Sequence, residues 1–200
     1  KAWESSKIHL LSETVPVKLP DNLMAHFPFD HSLAAQFGVR ESTNPAVPRL
    51  EFAQSIQTFS ESTPIYSPGM LGSALELQGP ASPVLISNIL DQPKFSIAFW
   101  LKPRATNGVI LSKLGQQPLF PHGFELSLTN SHLHLEINHD FFDFDATMVP
   151  IHLTTLSQLP THEWTHIGVV MDGNRANHGP LLFLNGKPAR SHERFLTARS

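Results

Sequence analysis

The stretch HLHLEINHD, residues 132–140, places His132, His134 and Glu136 at alternate positions. In an extended strand alternate side chains share a face ~7 Å apart, so two imidazoles and a carboxylate in this pattern can approach one zinc or iron ion. The same alternation has a plainer reading, a polar sheet face opposite Leu133, Leu135 and Ile137. Directly downstream, HDFFDFDATM brings Asp140, Asp143 and Asp145 close together, a set of hard oxygen ligands suited to calcium. That run lacks the glycine and terminal Glu of an EF-hand, and a solvated loop pinned by Phe141, Phe142 and Phe144 explains it equally. A third candidate lies in FSIAFWLKP, where Ser96, Trp100 and Lys102 fall on one face. An indole so placed can stack on a pyranose while its neighbours bond the hydroxyls. The alternative is that Trp100 and Trp164 are structural, each covering its sheet.

Other chemistries lack their residues. The chain has no cysteine, which removes disulfides, thiolate nucleophiles and cysteine zinc sites, and leaves the redox compartment unread. Gly-x-Ser-x-Gly and a phosphate-binding glycine loop are missing, and a His-Glu-x-x-His zinc helix is not expected, since HEWTH at 162–166 runs straight into a strand pattern. Retaining glycosidases need two carboxylates ~5 Å apart, but the segments around Glu61 and Glu193 each hold one, so hydrolysis is not expected. Fourteen Lys and Arg against 17 Asp and Glu give a formal charge of -3, which offers no attraction to nucleic acid or an anionic membrane. No apolar run approaches the ~20 residues of a membrane span, so membrane insertion is not expected. The opening KAWESSKIHLL lacks the basic, apolar and small-residue series of a signal peptide, and a start at Lys1 rather than Met reads as a piece of a longer polypeptide.

The elements that would position these residues are strands. A chain of 200 residues with 40% apolar content can bury one sizeable core, and 17 scattered prolines suit short strands joined by turns better than long helices. Residues 1–13 carry a weak helical pattern, and 15–22 form a Pro-containing linker into a first strand over 23–29, with Pro28 marking an edge or bulge. Residues 30–72 are poor in pattern and should wrap the surface with a few short strands. From there strands are expected at SALELQG, PVLIS, FSIAFWLKP, GVILSK, GFELSLT and HLHLEIN, with Phe95, Ile97, Phe99 and Leu101 as core. Near the end, Ile167, Val169 and Met171 alternate along a strand. A polar loop at Asp172-Gly173 leads to LLFL, and Asn185-Gly186 predicts a type I′ hairpin turn.

The order of these motifs resembles the laminin-G-like members of the concanavalin A-like lectin and glucanase superfamily. LMAHFPFDHSL is similar to that family's opening strand and Asp turn, YSPGMLGSALELQG to its Pro-Gly-x-x-Gly-x-Ala-Leu segment, and FSIAFWLKP to its Phe-Ser-x-x-x-Trp-x-Lys-Pro strand. GVILSK, GFELSL, HLHLEI, EWTHIGVVMDG and LLFLNGKPA follow in the family's order. The resemblance implies an all-β fold, an antiparallel two-sheet β-sandwich of jelly-roll type. It also implies a non-catalytic module over residues 23–200 that binds carbohydrate or protein, as an accessory domain of a larger extracytoplasmic polypeptide. Residues 1–22 would then belong to a preceding region. Two departures stand out: Gln78 replaces a frequent Asp, and the family's closing strand has no counterpart before Ser200. In the resembled family the Asp after the first strand helps bind structural calcium, which makes Asp30 a candidate ligand beside Asp143 and Asp145. Turn capping is the other reading of Asp30. The ligand-binding candidates are Trp100, Lys102, His132, His134 and Glu136. Two alternatives stay open: a metal-dependent jelly-roll enzyme or divergent glycoside hydrolase, and an architectural spacer. Cupins are the metal-binding jelly rolls to compare, but they place their Glu later after the second His and follow it with Gly.

Overall fold

The computed structural model describes residues 25–34, 58–60, 63–78, 84–86, 94–114, 123–138, 151–171 and 180–195. Every regular element among them is a strand. The chain divides into two compact units, Lys1–Ile89 and Leu90–Ser200.

In the first unit β1 (Thr58–Ser60) will pair with β4 (Val84–Ile86), and β2 (Ile65–Pro68) pairs with β3 (Ser73–Glu76), both antiparallel. The β2–β3 turn is closed by Gly69 N–H donating to Gly72 O at 2.9 Å, with Gly72 at φ 59°. Asp30 and His31 attach to this hairpin. Ser73 N–H donates to Asp30 Oδ1 at 2.8 Å, Ser73 Oγ stands 3.0 Å from His31 Nε2, and the His31 ring lies 5.6 Å from Tyr66. A strand over 23–29 is not what forms in the described part of that segment, where His26 alone makes a bridge. The reason is local: Pro28 has no N–H to give a ladder, and Phe29 and His31 take φ of 56° and 55°, turning the chain. The expected helix and linker over 1–22 lie outside the described residues.

The second unit is a two-sheet sandwich. One sheet has four strands in the order β12 (Lys187–Pro188), β11 (Leu181–Leu184), β10 (Thr165–Met171), β5 (Phe95–Leu101). The other has five, in the order β13 (Ser191–Phe195), β9 (Ile151–Gln158), β8 (His132–Asn138), β7 (Gly123–Thr129), β6 (Gly108–Leu114). All pairings are antiparallel. Period-two patterning decides which face is dry: Phe124, Leu126, Leu128, Leu133, Leu135, Ile137, Ile151 and Leu153 are buried from the five-stranded sheet, and Ile167, Val169, Met171 and Phe95 from the other. The Phe95 and Phe124 rings meet at 5.4 Å, which brings the two dry faces together. Ile97, Phe99 and Leu101 share the face of Phe95 but are only half-buried, β5 being the edge strand of its sheet among the described residues.

The turns follow their residue chemistry. Asn185 and Gly186 adopt φ of 50° and 75°, the I′ geometry expected, and Asn185 exchanges bonds with His166: its N–H donates to His166 O, and its Oδ1 accepts from His166 N. Asn130 and Ser131 form the equivalent turn between β7 and β8 with φ of 51° and 65°.

Candidate functional site

The polar face of the five-stranded sheet is built by the residues that alternate with the core. Strand β8 contributes His132, His134 and Glu136, and β9 contributes His152 and Thr154. Register sets His134 opposite Thr154 and Glu136 opposite His152, so four side chains form a block two residues wide and two strands deep. Across β7 the rows continue with Ser127 beside His134 and Glu125 beside Glu136, while β13 places His192 opposite Thr154 and Arg194 opposite His152 at register positions.

Within the block the polar atoms converge. His152 Nδ1 lies 3.4 Å from His134 Nε2 and 3.8 Å from Glu136 Oε2, and the two rings are tilted by 32° at 5.5 Å. One ligand atom from each of His134, Glu136 and His152 lies within 4.8 Å of the others; among the described residues this is the one such group of three. His134 Nδ1 is engaged on the other side by Thr154 Oγ1 at 2.8 Å, which orients the ring with Nε2 toward the group. His152 Nε2 is buried and has no hydrogen-bond partner among the described residues. Burial, with His152 adding to it, holds the His134 imidazole below the ordinary value of 6.5, while Glu136 and Glu125 pull it up. A neutral imidazole keeps the lone pair that a cation or proton donor needs.

His134 and Glu136 of the sequence-derived trio are therefore brought together, and His132 is not. Between His132 and His134 the β8–β9 register shifts, since His132 pairs with Gln158 and His134 with Thr154. The extra residues of β9 bulge there and free the Thr155 carbonyl, to which His132 Nδ1–H donates at 2.8 Å. His152 takes the third place, and sequence reasoning passed over it. The signal was present in IHLTTL, where Ile151 and Leu153 alternate with His152 and Thr154 between Pro150 and Pro160.

Trp100 and Lys102 lie elsewhere. Trp100 sits on β5 on the face away from Phe99, hence on the outer side of the four-stranded sheet, while the His134 block sits on the outer side of the other. The five candidate ligand-binding residues thus divide between opposite faces of the sandwich and cannot form one surface. Trp100 is 40% exposed and meets His166 edge-on at 5.1 Å. Lys102 Nζ stands 5.9 Å from the centroid of the Trp164 ring. In the neighbouring row Ala98, Gly168 and Phe183 are cross-strand partners, and a Cβ on Gly168 would lie 3.2 Å from Phe183 Cβ, so the ring leans over the bare glycine. Asp30 caps the β2–β3 turn through Ser73 and belongs to no group of three potential ligands among the described residues. Asp143 and Asp145 lie outside the described residues.

No curated protein matches the chain. A laminin-G family model, described as the concanavalin A-like lectin/glucanases superfamily, matches residues 79–198, a span that takes in β4 through β13. With more than half of the sequence matched and its second unit folded as a sandwich of two antiparallel sheets, the chain belongs to the laminin-G group of the concanavalin A-like lectin/glucanases superfamily.

Proposed function

We propose that the chain is a non-catalytic recognition module for a carbohydrate or protein ligand, with the outer face of the four-stranded sheet as its binding surface. One observation carries this reading: Trp100, 40% exposed, stands at the end of a floor of small residues, Ala98 and Gly168, with Phe183 at the far side. A flat apolar ring beside a shallow floor, with Ser96 and His166 as polar neighbours, suits the apolar face of a pyranose and its rim of hydroxyls. Lys102 and Trp164 extend the surface at the strand's end. The superfamily supports recognition as the mode of action and an extracytoplasmic setting, with further domains of the same polypeptide as neighbours. No helix among the described residues is long and apolar enough to cross a membrane. Structural calcium at Asp30 remains part of the proposal; calorimetric titration of chelator-treated protein with calcium tests it, and binding undiminished in Asp30→Asn would remove it.

Glycan-array screening followed by titration calorimetry tests the reading. Trp100→Ala should weaken a bound glycan by roughly 30-fold, the ~2 kcal/mol typical of a central tryptophan anchor. Two outcomes would replace it. Turnover of a glycan that disappears in Glu136→Gln would favour a hydrolase, a reading that has the cross-strand pairing of two carboxylates, Glu125 and Glu136, in its favour. No glycan and no protein captured would favour an architectural spacer.

A further inference from the structure

We propose that His134, His152 and Glu136 form a binding site for a divalent transition-metal ion, zinc being the best match, on the face of the sandwich opposite Trp100. The block is a set of donors that satisfy one another poorly. His152 Nδ1 stands 3.4 Å from His134 Nε2 and 3.8 Å from Glu136 Oε2, both beyond the range of a good hydrogen bond. Two atoms each bonded at ~2.05 Å to a tetrahedral zinc stand ~3.3–3.4 Å apart, so the imidazole pair already has the edge length of that polyhedron. A cation at the centre would meet all three donors at once.

The surroundings fit a nitrogen-rich site. Two imidazoles and one carboxylate select zinc or a neighbouring first-row ion over calcium or magnesium, which prefer all-oxygen sets. Thr154 Oγ1 fixes His134 through Nδ1, the outer hydrogen bond that metal-ligating histidines use to aim the other nitrogen. Glu125 is set directly across from Glu136 on adjacent strands, a like-charge pairing that is unfavourable by itself and that a bound cation relieves. Cross-strand register holds the ligands in place, since Glu136 and His152 are Cα partners and His134 is two residues away on the same face. Three protein ligands leave one tetrahedral position open, and an oxygen donor, water or a ligand's carboxylate or hydroxyl, would complete it. The site does not depend on the Trp100 surface, so either can fail alone.

The test uses the full 200-residue chain, freed of metal with chelator and dialysed, then titrated with zinc or cobalt(II) alone. The expected result is one ion per chain at sub-micromolar affinity, with the intense visible absorption of tetrahedral cobalt. His152→Ala and His134→Ala should weaken binding at least ~100-fold, and Thr154→Val, which loses only the outer hydrogen bond, by about 10-fold. His132→Ala should bind as the parent does, because His132 is turned away to Thr155 O. Glu136→Gln keeps the shape of the side chain and should shift the cobalt spectrum while circular dichroism stays unchanged, which separates loss of a ligand from loss of the fold. Absence of stoichiometric zinc or cobalt binding in the parent overturns the proposal, as does undiminished binding in folded His152→Ala. Loss in His132→Ala with retention in His152→Ala overturns it too, placing the ion on the His132–His134 pair instead.

Discussion

His132 and His134 are two residues apart on one strand face, yet their hydrogen bonds give them different chemistry. A backbone carbonyl can only accept, so His132 must present Nδ1–H to Thr155 O. His134 meets a hydroxyl, which can donate or accept, and its Nε2 is left facing His152. The depressed affinity of His134 for protons has a consequence for stability. In the unfolded chain this imidazole titrates near its ordinary 6.5, whereas in the fold burial first and His152 second move it lower. Between those two values the unfolded state binds more protons, so stability rises with pH there and is lost as pH falls through the ordinary histidine range. Below the lowered folded value this group adds no further dependence. In chelator-treated protein the urea midpoint should therefore fall as the pH is lowered through the ordinary histidine value of 6.5, and His134→Gln should flatten that fall. A midpoint that rises on acidification would contradict the assignment.

At the scale of the strand, the bulge in β9 determines which side chains reach the block. From Thr154 to Gln158 the chain advances four residues while β8 advances two, and the surplus is held by a single buried side chain. Thr155 is 1% exposed; its Oγ1 accepts from Leu133 N at 3.0 Å and donates to Ser157 O at 2.9 Å, supplying the two ladder bonds that the bulge interrupts. Thr155→Val keeps the shape and strands both backbone groups, so it should cost about 2–4 kcal/mol in chemical denaturation, and it should increase amide exchange at Leu133 first. A cost within ~0.5 kcal/mol of zero would mean that the bulge is not held by this hydroxyl. The same bulge explains why the strand was harder to read from sequence than its neighbours. Strands β7, β8 and β10 alternate without interruption, and the turn between β7 and β8 is made by Asn130 and Ser131 at positive φ, so these strands were legible in the sequence. Along β9 the alternation of Ile151, Leu153 and Thr155 breaks at exposed Leu156, and β13, with the sequence SHERF, has no apolar period at all. His134 and Glu136 were legible as neighbours because one strand's period fixes them. Their third partner was not, because cross-strand register is set by a bulge that no single strand encodes.

On the scale of the sandwich, the division of polar residues between two outer faces follows from one fact: each sheet has a dry side, and the dry sides meet. Trp100 and Lys102 read as companions of His134 only while the two strands are imagined in one sheet. Once β5 pairs with β10 and β8 with β7 and β9, the core lies between them. This arrangement predicts that the sheets stand or fall together. Leu135 at the middle of the five-stranded sheet and Ile167 in the four-stranded sheet are both 0% exposed. Neither sheet can keep its apolar face dry without the other, since an isolated antiparallel sheet with one greasy side exposes that side to water. Leu135→Ala and Ile167→Ala should each cost roughly 2–5 kcal/mol, the loss of buried methyl groups plus the cavity they leave. Each should lower one shared transition, seen at the same temperature by far-ultraviolet circular dichroism, which reports all strands, and by tryptophan fluorescence in a Trp3→Phe background, which reports Trp100 on β5 and Trp164 just before β10. Two separated transitions, with Leu135→Ala moving only the one that fluorescence does not see, would show that the sheets fold independently, and would remove the argument that sets the metal block and the Trp100 surface on opposite sides of a common core.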